Sequence, residues 1–146
     1  MTARGPAFRL LPRLDQENAF FWTSGADGRL RFLRCQRCRT FVHPPAPCCP
    51  ECLAADLAPE AVSGRATVVA HTLNVQGWIP GSEPYLIGLV AIAEQESVRL
   101  TTNLVDVEPG DVRVGMEVEA VFEHVDDVYL PLFRPVVPEG GETGET

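Results

Sequence analysis

Lysine is absent from this chain: all twelve basic side chains are arginine, against twenty acids. Every positive charge is therefore a guanidinium, suited to forked contacts with carboxylate or phosphate, although a compositional bias of the source would leave the same pattern. No apolar run approaches the roughly 20 residues of a bilayer-spanning helix. The opening residues 1–6 contain no apolar core of a secretory leader. Together these absences predict a cytoplasmic protein that spans no membrane and works where thiols stay reduced. No internal repeat is present. Aromatics are few, 8% of residues, and the basic charge that a nucleic-acid groove requires is missing from the C-terminal part. Residues 1–41 carry eight arginines and three acids, whereas the remaining residues carry four arginines and seventeen acids.

What is present is cysteine in pairs. Cys35-x-x-Cys38 and Cys49-x-x-Cys52 stand ten residues apart. Each pair lets a tight turn present two thiolates to one ion, and two facing turns complete a tetrahedral sulfur site of the zinc-ribbon kind. A disulfide framework is the alternative, and it needs an oxidising compartment. Four protein sulfurs leave no open coordination position, so one structural zinc per chain is expected, holding the fold rather than doing chemistry. The fifth cysteine, Cys48, adjoins Cys49, so a Cys48-x3-Cys52 pairing is conceivable; Cys49 is preferred because it repeats the two-residue gap. Arg39 and Leu53 follow the two knuckles where glycine is usual.

Length and 45% hydrophobic composition allow one ordinary domain plus a metal-stapled module. Asp15 is placed to cap a short helix running through Asn18, Phe20, Phe21 and Trp22 and ended by Ser24 and Gly25. Residues 29–34 and 41–43 read as strands flanking the first knuckle. Beyond Gly64 the pattern changes to β-branched and apolar runs at 66–75, 85–93, 98–105, 117–125 and 128–133, with turns at 94–97 and 126–127. A longer crossing at 106–116 has room for one helical turn. Five strands with a long link after the third fit an OB-type barrel. The expected organisation is mainly β: a helical segment 1–28, a zinc ribbon 29–62, an OB-fold 63–135 and a disordered tail 136–146 rich in Pro, Gly, Glu and Thr.

The ordered set of Phe21-Trp22, Gly28-Arg-Leu, the two knuckles, Pro44-Pro45, Ser63-Gly64-Arg65-Ala-Thr-Val, Pro84-Tyr85, Arg113-Val-Gly-Met116 and Leu130-Pro-Leu-Phe-Arg-Pro135 resembles the acyl-CoA-associated family that joins a rubredoxin-like zinc ribbon to an OB-fold. The resemblance implies an accessory subunit that forms a hetero-oligomer with a thiolase-superfamily enzyme, such as a lipid-transfer-protein-like aldolase that cleaves steroid side chains as acyl-CoA thioesters. It also implies that the catalytic residues lie on the partner.

The chain's own residues agree that it is a poor enzyme. Cys48 has no basic neighbour in sequence to activate it. His43, His71 and His124 are scattered, and Asp126-Asp127 reads as a solvated turn. No catalytic residue is assigned. Trp78 and Tyr85 are the candidate contacts for an acyl-CoA thioester, with Arg65 as a candidate for a CoA phosphate. Phe20, Phe21 and Trp22 are the candidate partner interface, the competing account being that they fill the cleft between ribbon and barrel. Two other function classes are an OB module binding single-stranded nucleic acid, disfavoured by the acidic excess of the barrel, and an autonomous CoA-thioester enzyme.

Overall fold

A computed structural model describes residues 9–137. The first part of the expected helical segment and most of the expected disordered tail lie outside the described residues.

The N-terminal module is built on very short elements. Helix α1 (Ala19–Trp22) has four residues, too few to be stable alone. Asp15 does not cap it directly; its carboxylate accepts the Glu17 and Asn18 amides at 2.9 and 2.8 Å, setting up the turn that leads into the helix. Burial of Phe21, contributing about 1.5–3 kcal/mol, ties α1 down. Ser24 and Gly25 do not end the helical run as expected. They open a 3-10 turn, Ser24–Asp27, which stops at Gly28 in the left-handed region (φ 78°). Gly25 serves close packing instead: a Cβ there would come within 2.3 Å of the Phe122 ring and 2.8 Å of Tyr129.

The ribbon sheet consists of β1 (Arg31–Cys35), β2 (Phe41–Val42) and β3 (Leu57–Ala61) in the order β2-β1-β3, all antiparallel. The third strand is not apparent in the sequence because Pro59 interrupts it. Pro59 is tolerated because β3 lies on the sheet edge, where a missing N–H breaks no ladder.

The barrel follows as β4 (Arg65–Asn74), β5 (Tyr85–Ile92), β6 (Gln95–Leu104), β7 (Glu117–Val125) and β8 (Val128–Pro135). It closes in the order β4-β5-β6-β8-β7, with β7 returning to β4, and the crossing from β6 to β7 includes a 3-10 turn at Pro109–Asp111. This is the five-strand OB architecture that the apolar runs imply. Val98, Leu100, Thr102 and Leu104 of β6 point inward and alternate with outward residues, the period-two pattern of a strand with one wet face. Gly88 is inward on β5, where a Cβ would meet the Leu104 side chain at 2.7 Å. The β5–β6 turn is tighter than expected: only Ala93 and Glu94 form it, and β6 starts at Gln95. Glu94 is fixed there by the amide and hydroxyl of Ser63, at 2.9 and 3.0 Å.

Ribbon and barrel share one core. Phe21, Leu30, Phe32 and Phe41 belong to the same buried cluster as Val68, Val90, Leu104 and Phe133. The Gln95 side chain clamps the join: it accepts the Phe41 amide and donates to the Phe41 carbonyl, both at 2.9 Å, as a neighbouring strand would.

Candidate metal centre and barrel groove

The two knuckles superimpose in their chemistry. In the first, the Arg39 amide donates to the Cys35 carbonyl (2.9 Å) and the Cys35 amide to the Thr40 carbonyl (2.8 Å); in the second, Leu53 donates to Cys49 and Cys49 to Ala54 at the same two distances. Each turn requires a left-handed residue after its second cysteine, and Arg39 (φ 68°) and Leu53 (φ 62°) adopt it without being glycine. Arg39 recovers something for that strain through ion pairs with Glu60, at 2.8 and 3.1 Å. Leu53 is 75% exposed, and no contact among the described residues accounts for its side chain.

The turns bring the Sγ atoms of Cys35, Cys38, Cys49 and Cys52 within 4.8 Å of one another, with Cys35 to Cys52 and Cys38 to Cys49 each at 3.5 Å. Four sulfurs bound at about 2.3 Å around one zinc would be about 3.8 Å apart, so the cluster fits a tetrahedral metal. Amides already point at two of them, Cys38 N at Cys35 Sγ (3.5 Å) and Glu51 N at Cys49 Sγ (3.4 Å). The Cys38 amide is the foremost cause holding the Cys35 thiol below its ordinary value, towards the thiolate that binds metal. The Thr40 hydroxyl, 3.3 Å from Cys38 Sγ, is the foremost cause holding that thiol down to about 6. Cys48 is half-buried and stands outside the cluster, whose fourth sulfur is that of Cys49.

A second feature lies on the barrel. A groove of about 530 Å³ runs between the outer face of β5 and β6 and the 75–84 loop, the place where OB-folds bind their ligands. Its apolar wall includes Trp22, Trp78, Ile79, Tyr85, Ile87 and Leu130, and its polar side includes Arg9, Thr101 and Asn103. Trp78 is 79% exposed. The groove thus brings together residues that the sequence assigned to two different roles: Trp78 and Tyr85 as ligand contacts, and Trp22 as partner interface. Phe21 is in the core, its ring 5.8 Å from Phe32 and 5.2 Å from His43, and Phe20 is half-buried against the same cluster.

Arg65 is not part of the groove. It is exposed at the first position of β4, opposite Glu119, while the loop holding Trp78 leaves the far end of that ten-residue strand, about 30 Å away. The groove's cation is Arg9, which sequence reasoning missed. Its guanidinium donates to Asn103 Oδ1 at 2.7 Å and to both Glu123 carboxylate oxygens at 3.3 Å. Both partners are more than ninety residues away along the chain, so no local pattern could announce them. Arg9 is neutralised by Glu123, and the other lining residues carry no charge, so the groove is a weak match for a phosphate backbone. His124 stacks on Tyr129 at 4.1 Å, and His71 is exposed on β4. Among the described residues no helix is long and apolar enough to cross a membrane.

Comparison with known proteins agrees with this geometry. The family model described as the ChsH2 rubredoxin-like zinc ribbon domain matches residues 22–58, and that described as the ChsH2 C-terminal OB-fold domain matches residues 59–123. A probable enoyl-CoA hydratase alpha subunit of Thermomonospora curvata is 36% identical over 91% of the chain. A 3-oxo-4,17-pregnadiene-20-carboxyl-CoA hydratase alpha subunit of Mycobacterium tuberculosis is 30% identical over 89%. The chain spans only 42% and 41% of those two proteins. A DUF35 domain-containing scaffold protein of Methanocaldococcus jannaschii is 33% identical, the match covering 65% of this chain and 68% of that protein. Among solved structures, a chain of an Ltp2-ChsH2(DUF35) aldolase superimposes with a TM-score of 0.78 at 35% identity, covering 87% of this chain and all of the other.

Proposed function

Since the chain belongs to the ChsH2 family of zinc-ribbon and OB-fold proteins, we propose that it is a noncatalytic accessory subunit of an acyl-CoA enzyme, assembled in the cytoplasm with a thiolase-superfamily aldolase. The observation that carries this reading is the full coverage of the aldolase-associated chain at a TM-score of 0.78, joined to a metal cluster made wholly of protein sulfur. One zinc per chain would fill that cluster with no position left for water or substrate, so its work is to hold the ribbon. Steroid side-chain or related branched acyl-CoA thioesters are the proposed substrate class, supported by the hydratase relative's name.

In this reading the groove is where the subunit meets the CoA thioester or the mouth of the partner's channel. Its aromatic and aliphatic wall suits an acyl or pantetheine chain, and Trp78 offers a stacking face. Arg65, at the other end of β4, would serve only a contact separate from the groove. The exposed edges of Phe20 and Trp22 are the proposed anchor for the partner, continuous through Trp22 with the groove.

Co-expression with a thiolase-superfamily protein encoded beside this chain should give a stable mixed oligomer with carbon–carbon bond-cleaving or condensing activity on a CoA thioester, and the chain alone should be inactive. Turnover by the purified chain alone overturns the accessory reading. In the complex, Trp78→Ala should raise the Michaelis constant for the thioester or weaken assembly; no change in either removes Trp78 from the site.

A further inference from the structure

One wall of the barrel groove belongs to no strand or helix. Arg9, Leu10 and Pro12 line it, on a stretch, residues 9–14, that has no regular structure and joins neither sheet. The far end of this stretch is fixed: the Asn18 side chain accepts the Asp15 amide at 2.9 Å and donates to the Arg13 carbonyl at 3.1 Å, in the turn that leads into α1. Ahead of that turn, among the described residues, no backbone group of the stretch bonds to the barrel. Its polar hold there is the Arg9 side chain, through Asn103 at 2.7 Å and Glu123 at 3.3 Å. Arg9 reaches over β8, since Asn103 is on β6 and Glu123 on β7, the strands on either side of it. This is where the barrel is closed most loosely: the ladder between β6 and β8 is the single pair Leu104 and Phe133. Apolar contact adds little, for Leu10 is 90% exposed and Leu11, Pro12 and Leu14 are only half-buried.

We propose that residues 9–14 form a strap that gates the groove, hinged at the Asp15–Asn18 turn and latched by Arg9. A segment with few buried contacts and no ladder opens locally, well before the fold does, and it opens at the weaker of its two anchors. The hinge is held by several short bonds within one turn. The latch is one side chain, and its carboxylate partner is 42% exposed, so water competes for the guanidinium. Latched, the strap walls the groove with Leu10 and Pro12. Released, it swings on the turn, takes both residues away and uncovers the side of the groove that Trp22 lines. Arg9 is thus a positioning residue that sets how much of the groove an occupant can reach. The proposal does not rest on the thioester reading, because the latch and its tests concern this chain by itself.

Limited trypsin digestion of the zinc-loaded full chain, followed by mass spectrometry, measures the open fraction, because cutting after Arg13 needs the strap detached. Arg9→Ala, which itself removes one trypsin site, should speed cutting after Arg13 by about tenfold, the factor that one charge-assisted hydrogen bond is worth. Glu123→Gln keeps the 2.7 Å bond to Asn103 and should speed it by less. Cutting after Arg99, inside β6, should stay as slow as in wild type, which separates release of the strap from unfolding. The chain's two tryptophans, Trp22 and Trp78, both line the groove. In a Trp78→Phe background, Arg9→Ala should therefore shift the emission of Trp22 to the red and open it to acrylamide quenching. Equal cutting after Arg13 in wild type and Arg9→Ala overturns the latch, and faster cutting with Trp22 quenching unchanged overturns the gate. Should Arg9→Ala quicken cutting after Arg99 as well, Glu123→Gln decides by the same two readings.

Discussion

Gln95→Ala is the sharpest test of how ribbon and barrel are coupled. The amide side chain makes two hydrogen bonds to the Phe41 backbone, each of 2.9 Å, and Phe41 is itself buried at 6% exposure. Truncation removes both bonds and leaves a poorly hydrated N–H and C=O behind. At about 1 kcal/mol per net bond, with a further desolvation penalty for the stranded groups, the loss should be about 2–3 kcal/mol. In a chain of this size that lowers the melting temperature by roughly 6–12 °C. Gln95→Glu separates the two bonds: the carboxylate can still accept the Phe41 amide but repels the carbonyl, so it should be no more stable than the alanine variant despite its closer shape. Thermal melts of the zinc-loaded protein, followed by far-UV circular dichroism, measure both. A Gln95→Ala variant within about 0.5 kcal/mol of wild type would show that the shared core alone holds the units together.

Cys49→Ser should lower zinc content and solubility while Cys48→Ser leaves both nearly intact, since only Cys49 lies in the sulfur cluster; elemental analysis giving the reverse ranking would refute the ligand choice. Leu53→Gly relieves a left-handed strain worth about 1 kcal/mol at an exposed position, so chemical denaturation should show a gain of up to about 1 kcal/mol after glycine's entropy cost. Arg39→Gly should gain less, because it also breaks the contacts with Glu60. His43 packs against Phe21 and Phe32 with Nδ1 buried and unpaired among the described residues, and burial lowers its pKa below the ordinary value. The folded state therefore prefers the neutral ring: this contribution is complete above about pH 6.5 and is lost as pH falls from there towards the depressed value. His43→Phe should flatten that acid slope relative to wild type, whereas zinc release at low pH should affect both proteins alike; equal slopes would exclude His43 as its source.

Which parts of this molecule were legible in its sequence follows from the range of the interactions involved. The knuckles were legible because two thiolates on one turn are a local requirement, and even the departures at Arg39 and Leu53 fell on the positions that the structure holds left-handed. The barrel strands were legible because burying one face imposes a period of two over eight or ten residues. The ribbon's edge strand was hidden by Pro59, since proline argues against a strand unless its edge position is already known. Gly25 looked like a helix end because glycine usually is one, yet its role is set by Phe122, ninety-seven residues later. The groove shows the same divide. Trp78 and Tyr85 could be named from an aromatic loop beside a strand, but the Arg9–Glu123 and Arg9–Asn103 contacts exist only once the barrel closes. Arg65, chosen for the chemistry of its side chain, is separated from Trp78 by the length of the strand that joins them. Residue type thus indicates what a side chain can do, whereas the closure of the barrel decides which side chains do it together.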